Sequence, residues 1–332
     1  MNFGVIGYGY WGPNVVRNLM TVEGSRVLGI ADLSPAARKR AQALYPSVPV
    51  TADAAELIRS KEIDAIAIVS PVWTHHELAK AALENGKHVF VEKPLTSTVE
   101  QGQELIELAW KKNLRIMVDH TFLFTGAVRK IRELVDQGSV GKLYYYDSTR
   151  VNLGLFQHDI NVLWDLAPHD LSIMDHVLGV HPEAIVATGQ KHMSSHEDVA
   201  YLTLYFPEKL IAHINVNWLS PVKIRMTLIG GEKKMLVWND LVADEKLRVY
   251  DKGVDVTSQE GVYKTLVNYR SGDMWSPQLE QGEALQRELK YFVECIESGK
   301  DPFNDGRAGL RVVKMLQAAT ESLEKRGAQV YL

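Results

Sequence analysis

His88-Val89-Phe90-Val91-Glu92-Lys93-Pro94-Leu95 is the stretch on which the fold turns. Strand-forming, mostly apolar residues run directly into an acid, a lysine and a proline. Such a run reads as a buried parallel strand that delivers charge at its end. In open α/β sheets the ligand crevice lies outside the carboxyl ends of the strands, which puts Glu92 and Lys93 at its mouth. Pro94 keeps Lys93 out of helical geometry and fixes its exit direction. An ordinary strand ending in a solvated turn has the same local texture, so the flanking segments decide between the two.

Upstream, Asn2 to Gly7 reads as a short buried strand followed at once by Gly7-Tyr8-Gly9-Tyr10-Trp11-Gly12. This is Gly-X-Gly-X-X-Gly between a strand and a helix, the context that gives the pattern meaning. The first glycine permits the tight turn, the second lets backbone approach a pyrophosphate, and the third allows close helix packing. A helix starting near Pro13 offers unpaired N–H groups and the positive end of its dipole. A second strand, Arg26 to Ala31, ends in Asp32, twenty residues beyond Gly12, where an acid is expected to bond the adenosine ribose. Its charge repels a 2′-phosphate and favours NAD, while Ser34, Arg38 and Lys39 nearby keep NADP possible. Asp32 as a plain helix cap is the alternative, but Ser34-Pro35 fills that role better.

A third strand, Ile63 to Val69, ends at Ser70-Pro71, and a helix from His75 to Asn85 stops at Gly86. His75 and His76 are adjacent, point in different directions and make a poor metal pair. A cap or loop role is the plainer reading for both, although one of them can line the cofactor crevice. After the Glu92-Lys93-Pro94 strand, a helix over about Val99 to Lys112 leads to a strand at Arg115 to Asp119. Strands alternating with helices imply a doubly wound parallel sheet, a Rossmann-type domain over residues 1–120. The cofactor-binding set is then Gly7, Gly9, Tyr10, Trp11, Gly12, Asp32, Leu33, Ser70, Pro71, His75, Glu92 and Lys93, with no metal.

Composition bounds the rest. A chain of 332 residues with 46% hydrophobic content supports two domains and a large core. A net charge of −4 leaves no basic footprint for nucleic acid. The single cysteine, Cys295, excludes an intramolecular disulfide and, amid apolar helix residues, reads as core filler in a reducing compartment. No signal peptide is expected from the strand-like start, and no apolar run approaches the ~18 residues that span a bilayer. The expectation is a soluble, cytoplasmic protein.

From 121 to 332 the texture shifts. A helix, Gly126 to Gln137, precedes strands at Leu143 to Val151, Glu183 to Lys191, Val199 to Phe206, Leu210 to Leu219, Lys223 to Ile229 and Lys234 to Trp238. Short turns between them argue a mostly antiparallel sheet, giving an α+β domain. Leu210, Ala212, Ile214, Val216 and Trp218 alternate with the polar His213, Asn215 and Asn217. One face therefore packs on helices, and the other is solvated or meets a second subunit. Arg248 to Ser276 reads as loop, and helices are expected over Gly282 to Ser298 and Gly306 to Lys325. Between the first two strands lies Asn161-Val-Leu-Trp-Asp165-Leu-Ala-Pro-His169-Asp-Leu-Ser-Ile-Met-Asp-His176-Val-Leu-Gly179. It reads as a helix from Asp165, with Pro168 in the first turn and Gly179 ending it. Asp165, His169, Ser172 and His176 share one face. Three readings of the Asp165–His169 pair stand open: an acid/base pair on one ligand, part of a metal site still short of ligands, or a capping aspartate with a surface histidine.

Three stretches together, "GVIGYGYWG", "SPVWTHHELAKAALENGKHVFVEKPL" and the segment around Asp165, resemble the glucose–fructose oxidoreductase/inositol dehydrogenase (Gfo/Idh/MocA) superfamily. The resemblance spans essentially the whole chain. It implies that Lys93 lies beside nicotinamide and substrate, and that Asp165 and His169 are catalytic. It also implies a large open-faced second sheet that mediates a homodimer or homotetramer. Relatives often carry Asp-X-Gly-X-His where this chain has "NVLWDLAPHD", implying a subfamily with a different substrate pocket. "YGYWGPN" and "NVLWDLAPHDLSIMDHVLG" look more like the branch that acts at carbon 3 of nucleotide-linked sugars in surface-polysaccharide or antibiotic pathways. A free sugar or inositol is the alternative substrate, and a non-catalytic dinucleotide sensor the alternative class.

Overall fold

The computed structural model describes residues 1–154, 160–256 and 267–332. The chain divides into two compact units, Met1–Phe124 with Gly282–Lys314, and Thr125–Gln281 with Met315–Leu332.

The first unit alternates β1 (Asn2–Ile6), α1 (Gly12–Leu19), β2 (Arg26–Ala31), α2 (Pro35–Leu44), β3 (Val50–Thr51), α3 (Ala54–Arg59), β4 (Ala65–Ile68), α4 (His75–Glu84), β5 (His88–Glu92), α5 (Val99–Lys112) and β6 (Ile116–Asp119). All six strands pair in parallel in the order β3-β2-β1-β4-β5-β6. Chain direction along the sheet reverses between β1 and β4, the switch point outside which ligands bind. The expected alternation is thus present, and β5 is an interior strand with Val89, Phe90 and Val91 fully buried. Caps follow the local chemistry: Ser34 Oγ accepts from Ala37 N and Thr98 Oγ1 from Gln101 N, each at 3.3 Å.

The second unit holds α6 (Gly126–Asp136), β7 (Leu143–Leu153), α7 (Val162–Leu178), β8 (Ala184–Gln190), β9 (Val199–Tyr205), β10 (Ile211–Asn217), β11 (Leu219–Gly231), β12 (Met235–Asn239), β13 (Leu247–Val256) and β14 (Val267–Trp275). The chain continues with α8 (Ala284–Ser298), α9 (Gly306–Glu324) and β15 (Val330–Tyr331). The nine-stranded sheet runs β14-β13-β12-β11-β7-β10-β9-β8-β15. It is antiparallel except for the β7–β10 pair. Ala212, Ile214, Val216 and Trp218 are buried, and His213, Asn215 and Asn217 lie half-exposed on the opposite face, as the alternation predicts.

Three expectations change. Arg248 to Ser276 contains the β13–β14 pair, registered from Val249↔Trp275 to Val256↔Val267, and is not a loop; residues 257–266 within it lie outside the described residues. Lysine, aspartate and glycine along those strands disguised the strand period. The helix around Asp165 begins at Val162, because Asn161 Oδ1 accepts from Trp164 N at 3.1 Å and caps it there. Pro168 therefore sits inside α7, beyond its first turn, where it has no N–H to give the Trp164 carbonyl. Finally, Gly282–Lys314 belongs to the first compact unit, although the sequence reading assigned everything after residue 120 to the second domain. Phe292 of α8 explains this, its ring lying 6.3 Å from Phe3 and 5.9 Å from Phe90 in the core beside β1 and β5.

Candidate functional site

In the first unit the glycine loop has the geometry its spacing predicts. Gly7 has φ +100°, and a Cβ there would lie 2.3 Å from the Val69 carbonyl oxygen. A Cβ on Gly12 would meet the Gly7 oxygen at 2.3 Å, whereas one on Gly9 would meet nothing within 4 Å. Gly9 therefore faces open space, which fits the close approach of a pyrophosphate to its backbone. Asp32 closes the loop from one side: Oδ2 accepts from Tyr8 N at 2.6 Å and Oδ1 from Ser34 N at 2.7 Å. A carboxylate has about four lone-pair directions, so ribose hydroxyls can still be accepted. Arg38 donates to the Asp32 and Leu33 carbonyls, and Ser34 caps α2. Tyr10 and Leu33 both expose 87% of their surface.

On the other side Trp11 is the N-cap residue of α1, and its Nε1 donates to Asp119 Oδ2 at 2.7 Å. Asp119 ends β6 and lies opposite Glu92 of β5 in the sheet register. Its other carboxylate oxygen accepts from Thr121 Oγ1. Lys93 and Pro94, joined by a cis peptide bond, follow Glu92. His75 is buried and joins two loops, Nδ1 lying 2.9 Å from the Pro94 carbonyl and Nε2 2.8 Å from that of Ser70. Burial holds its pKa below the usual histidine range, and the Lys93 charge adds to this against the pull of the carbonyls. His75 is thus a strut between the Ser70-Pro71 turn and the Lys93-Pro94 turn. His76 instead faces Glu104, with Nε2 2.7 Å from its carboxylate.

Behind Asp119 lies a buried polar cluster that the sequence reading passed over. Glu288 of α8 is fully buried, and its Oε1 accepts from His120 N at 3.1 Å and Asn304 Nδ2 at 3.0 Å. Burial raises its pKa well above the usual carboxylate value, with the Asp119 charge adding to the shift. His120 is buried with no partner at hydrogen-bond distance on either ring nitrogen. Burial, then Lys93, then Arg311 push its pKa down to about 3. A signal existed: Ile116-Met-Val-Asp119 repeats the apolar run ending in an acid seen at Val89-Phe-Val-Glu92, and Glu288 interrupts the apolar stripe of Leu285, Leu289 and Phe292.

In the second unit α7 carries Asp165 and His169 one turn apart, so both emerge on one face. Asp165 Oδ2 accepts from Trp218 Nε1 at 3.2 Å, which fixes the carboxylate; Trp218 is fully buried. Ser172 Oγ donates to the His169 carbonyl at 2.9 Å. On the opposite face of α7, Asp170 is buried against Arg150 of β7, with Nε to Oδ2 at 2.6 Å, and Ser148 Oγ adds a bond to Oδ1 at 2.6 Å. That buried ion pair anchors the helix to its sheet and sets the rotation at which Asp165 and His169 emerge. Burial, then the Arg132 charge, lower the pKa of His176, about two turns beyond His169. Among the described residues no three His, Cys, Asp or Glu side chains group to hold a metal ion, and no helix is long and apolar enough to cross a membrane.

Two family models match the chain. An oxidoreductase family with an NAD-binding Rossmann fold (GFO_IDH_MocA) matches residues 1–120, and the GFO/IDH/MocA C-terminal domain matches residues 128–237. A UDP-N-acetylglucosamine 3-dehydrogenase of Acidithiobacillus ferrooxidans is 26% identical, with 94% of each chain covered. A myo-inositol 2-dehydrogenase of Thermotoga maritima is 24% identical over 98% of this chain and 97% of its own. Among solved structures, scyllo-inositol dehydrogenase of Lactobacillus casei with bound NAD(H) and scyllo-inositol has a TM-score of 0.80 at 21% identity, covering 100% of this chain and 98% of that one.

Proposed function

Because the chain belongs to the Gfo/Idh/MocA oxidoreductase family, its first unit being an NAD-binding Rossmann domain, we propose that it moves a hydride between NAD and a secondary alcohol or ketone of a sugar. The sugar in this reading is nucleotide-linked and reacts at carbon 3. NAD, when bound, supplies the hydride chemistry; the protein supplies orientation and proton handling. Gly9, the start of α1 and Asp32 hold the dinucleotide. Lys93 bonds the reacting oxygen and stabilises its developing negative charge, and His169 takes the hydroxyl proton in the oxidation direction. Asp165, fixed by Trp218, holds a neighbouring hydroxyl.

The observation that carries this reading is the carboxylate–imidazole pair at four-residue spacing on α7, in a chain whose relatives include dehydrogenases of a nucleotide sugar and of inositols. "YGYWGPN" and "NVLWDLAPHDLSIMDHVLG" favour the nucleotide sugar. The polar face of the second sheet serves a homodimer or homotetramer, and the product feeds cytoplasmic synthesis of a surface polysaccharide.

Nicotinamide absorbance tests the proposal, with purified protein, NAD or NADP, and a panel of UDP-sugars, dTDP-sugars and inositols. Turnover of a nucleotide sugar, cut roughly 10²- to 10⁴-fold in Lys93→Ala with NADH binding retained, is expected. Turnover of inositol alone moves the substrate to the polyol class. Tight NADH binding without turnover across the panel refutes the substrate assignment and turns attention to a sensing role. Unchanged turnover in Lys93→Ala removes the lysine from the mechanism.

A further inference from the structure

The glycine loop at the end of β1 is pinned by two carboxylates from different strands, and only one belongs to the familiar dinucleotide pattern. Asp32, at the end of β2, takes Tyr8 N. Asp119, at the end of edge strand β6, takes the indole N–H of Trp11 at 2.7 Å. Trp11 is where α1 starts: its carbonyl accepts from Asn14 N at 2.9 Å and Val15 N at 3.3 Å, and its own side chain caps nothing in the helix. The residue at the mouth of the helix is therefore held from outside the helix, across the sheet.

The surroundings suit Asp119 to this task. It is buried, and one carboxylate oxygen accepts from the indole N–H and the other from the Thr121 hydroxyl. An indole N–H has no acceptor capacity, so the bond requires a lone pair on Asp119. Glu288 lies behind it with Oε1 occupied by two N–H donors.

We propose that Asp119 is a cofactor-positioning residue, acting through Trp11 to hold the start of α1 where its amide groups meet the dinucleotide pyrophosphate. This rests on the placement of NAD on the glycine loop given above. The role differs from that of Lys93: Asp119 sets the grip on the cofactor and leaves the chemical step alone.

The test is a double-mutant cycle on the full-length protein, read as NADH affinity by nicotinamide fluorescence. Trp11→Phe, which keeps the ring and leaves Asp119 bonded to Thr121, and Asp119→Ala are each expected to weaken NADH binding roughly ten-fold. The double variant is expected to be no weaker than either single one. Asp119→Asn, whose carbonyl oxygen still accepts from the indole, should bind close to the parent. With a turned-over substrate, the loss in Trp11→Phe falls more on KM for NAD than on kcat. Additive losses, or a Trp11→Phe protein that binds as the parent does, overturn the proposal, and Trp11→Phe keeps the test decisive if Asp119→Ala fails to fold. A parent protein that does not bind NADH overturns both this role and the reading it rests on; a parent that binds while the variants match it overturns this role alone.

Discussion

Replacing Glu288 by glutamine should change the pH at which the protein begins to lose stability in acid. His120 titrates at about 3 in the folded protein against an ordinary 6.5, because it is buried and faces the charges of Lys93 and Arg311. Between those two values the unfolded chain binds a proton that the folded chain refuses. Stability therefore rises with pH in that window, by about 1.4 kcal/mol per pH unit. Glu288 works in the opposite sense. Burial and the charges of Asp119 and Glu92 raise it well above its ordinary 4.5, so above that pH the folded chain keeps a proton the unfolded chain has shed. Its contribution is complete below 4.5 and is lost as pH rises. Above 4.5, for as long as folded Glu288 keeps its proton and unfolded His120 still takes one, the two slopes oppose each other. Glu288→Gln removes one slope. Its stability relative to the parent should then rise by about 1.4 kcal/mol per pH unit, beginning near 4.5 and continuing until the folded carboxyl itself titrates. Urea unfolding at half-unit steps from pH 4 to 7.5 reads this directly as a difference curve. Burial also lowers His75, His88 and His176, but these are common to both proteins and cancel. Parallel curves for parent and variant would refute the assignment of a proton to Glu288.

Two further perturbations test parts of the scaffold separately. Gly9→Ala adds a methyl into open space and should leave the melting temperature near the parent's while weakening NADH binding. Gly7→Ala places one 2.3 Å from a backbone oxygen at φ +100° and should cost at least about 1–3 kcal/mol of stability; thermal melts with an NADH titration separate the two glycines. Asp170→Ala strips the carboxylate from buried Arg150 and should cost about 3–5 kcal/mol in urea unfolding, whereas a loss below about 1 kcal/mol would remove the ion pair as the anchor of α7.

The parallel sheet was legible because its strands are buried on both faces, and apolar runs such as Val89-Phe-Val and Ile116-Met-Val stop at an acid, Glu92 or Asp119. The glycine loop was legible for a related reason: Gly7 and Gly12 have no room for a side chain, and spacing alone records that. Asp165 and His169 could be paired from the helical period. What stayed hidden depends on contacts between residues far apart in sequence. Trp11 and Asp119 are 108 residues apart, and His120 and Glu288 are 168 apart. No local period links them, and an acid on an apolar stripe looks like a minor irregularity until its partners are known. A proline in the first turn points to a start at Asp165, whereas the Asn161 cap starts α7 three residues earlier, at Val162. In β13 and β14, pairing with a neighbouring strand overrode a polar composition that on its own suggests a loop.

The return of α8 to the first unit has a consequence for how this protein is made. A ribosome releases β1 and β5 long before it reaches Phe292, the ring that lies against both Phe3 and Phe90. At roughly 5–20 residues per second, the interval between synthesis of Phe90 and Phe292 is about 10–40 s. Through that interval the nascent six-stranded sheet lacks one of its covering helices, and Phe3 and Phe90 stay open to water or to a chaperone. A fragment ending at residue 124 would hold that state permanently. Producing the dinucleotide-binding half by itself therefore calls for residues 282–314 joined back onto 1–124 through a linker.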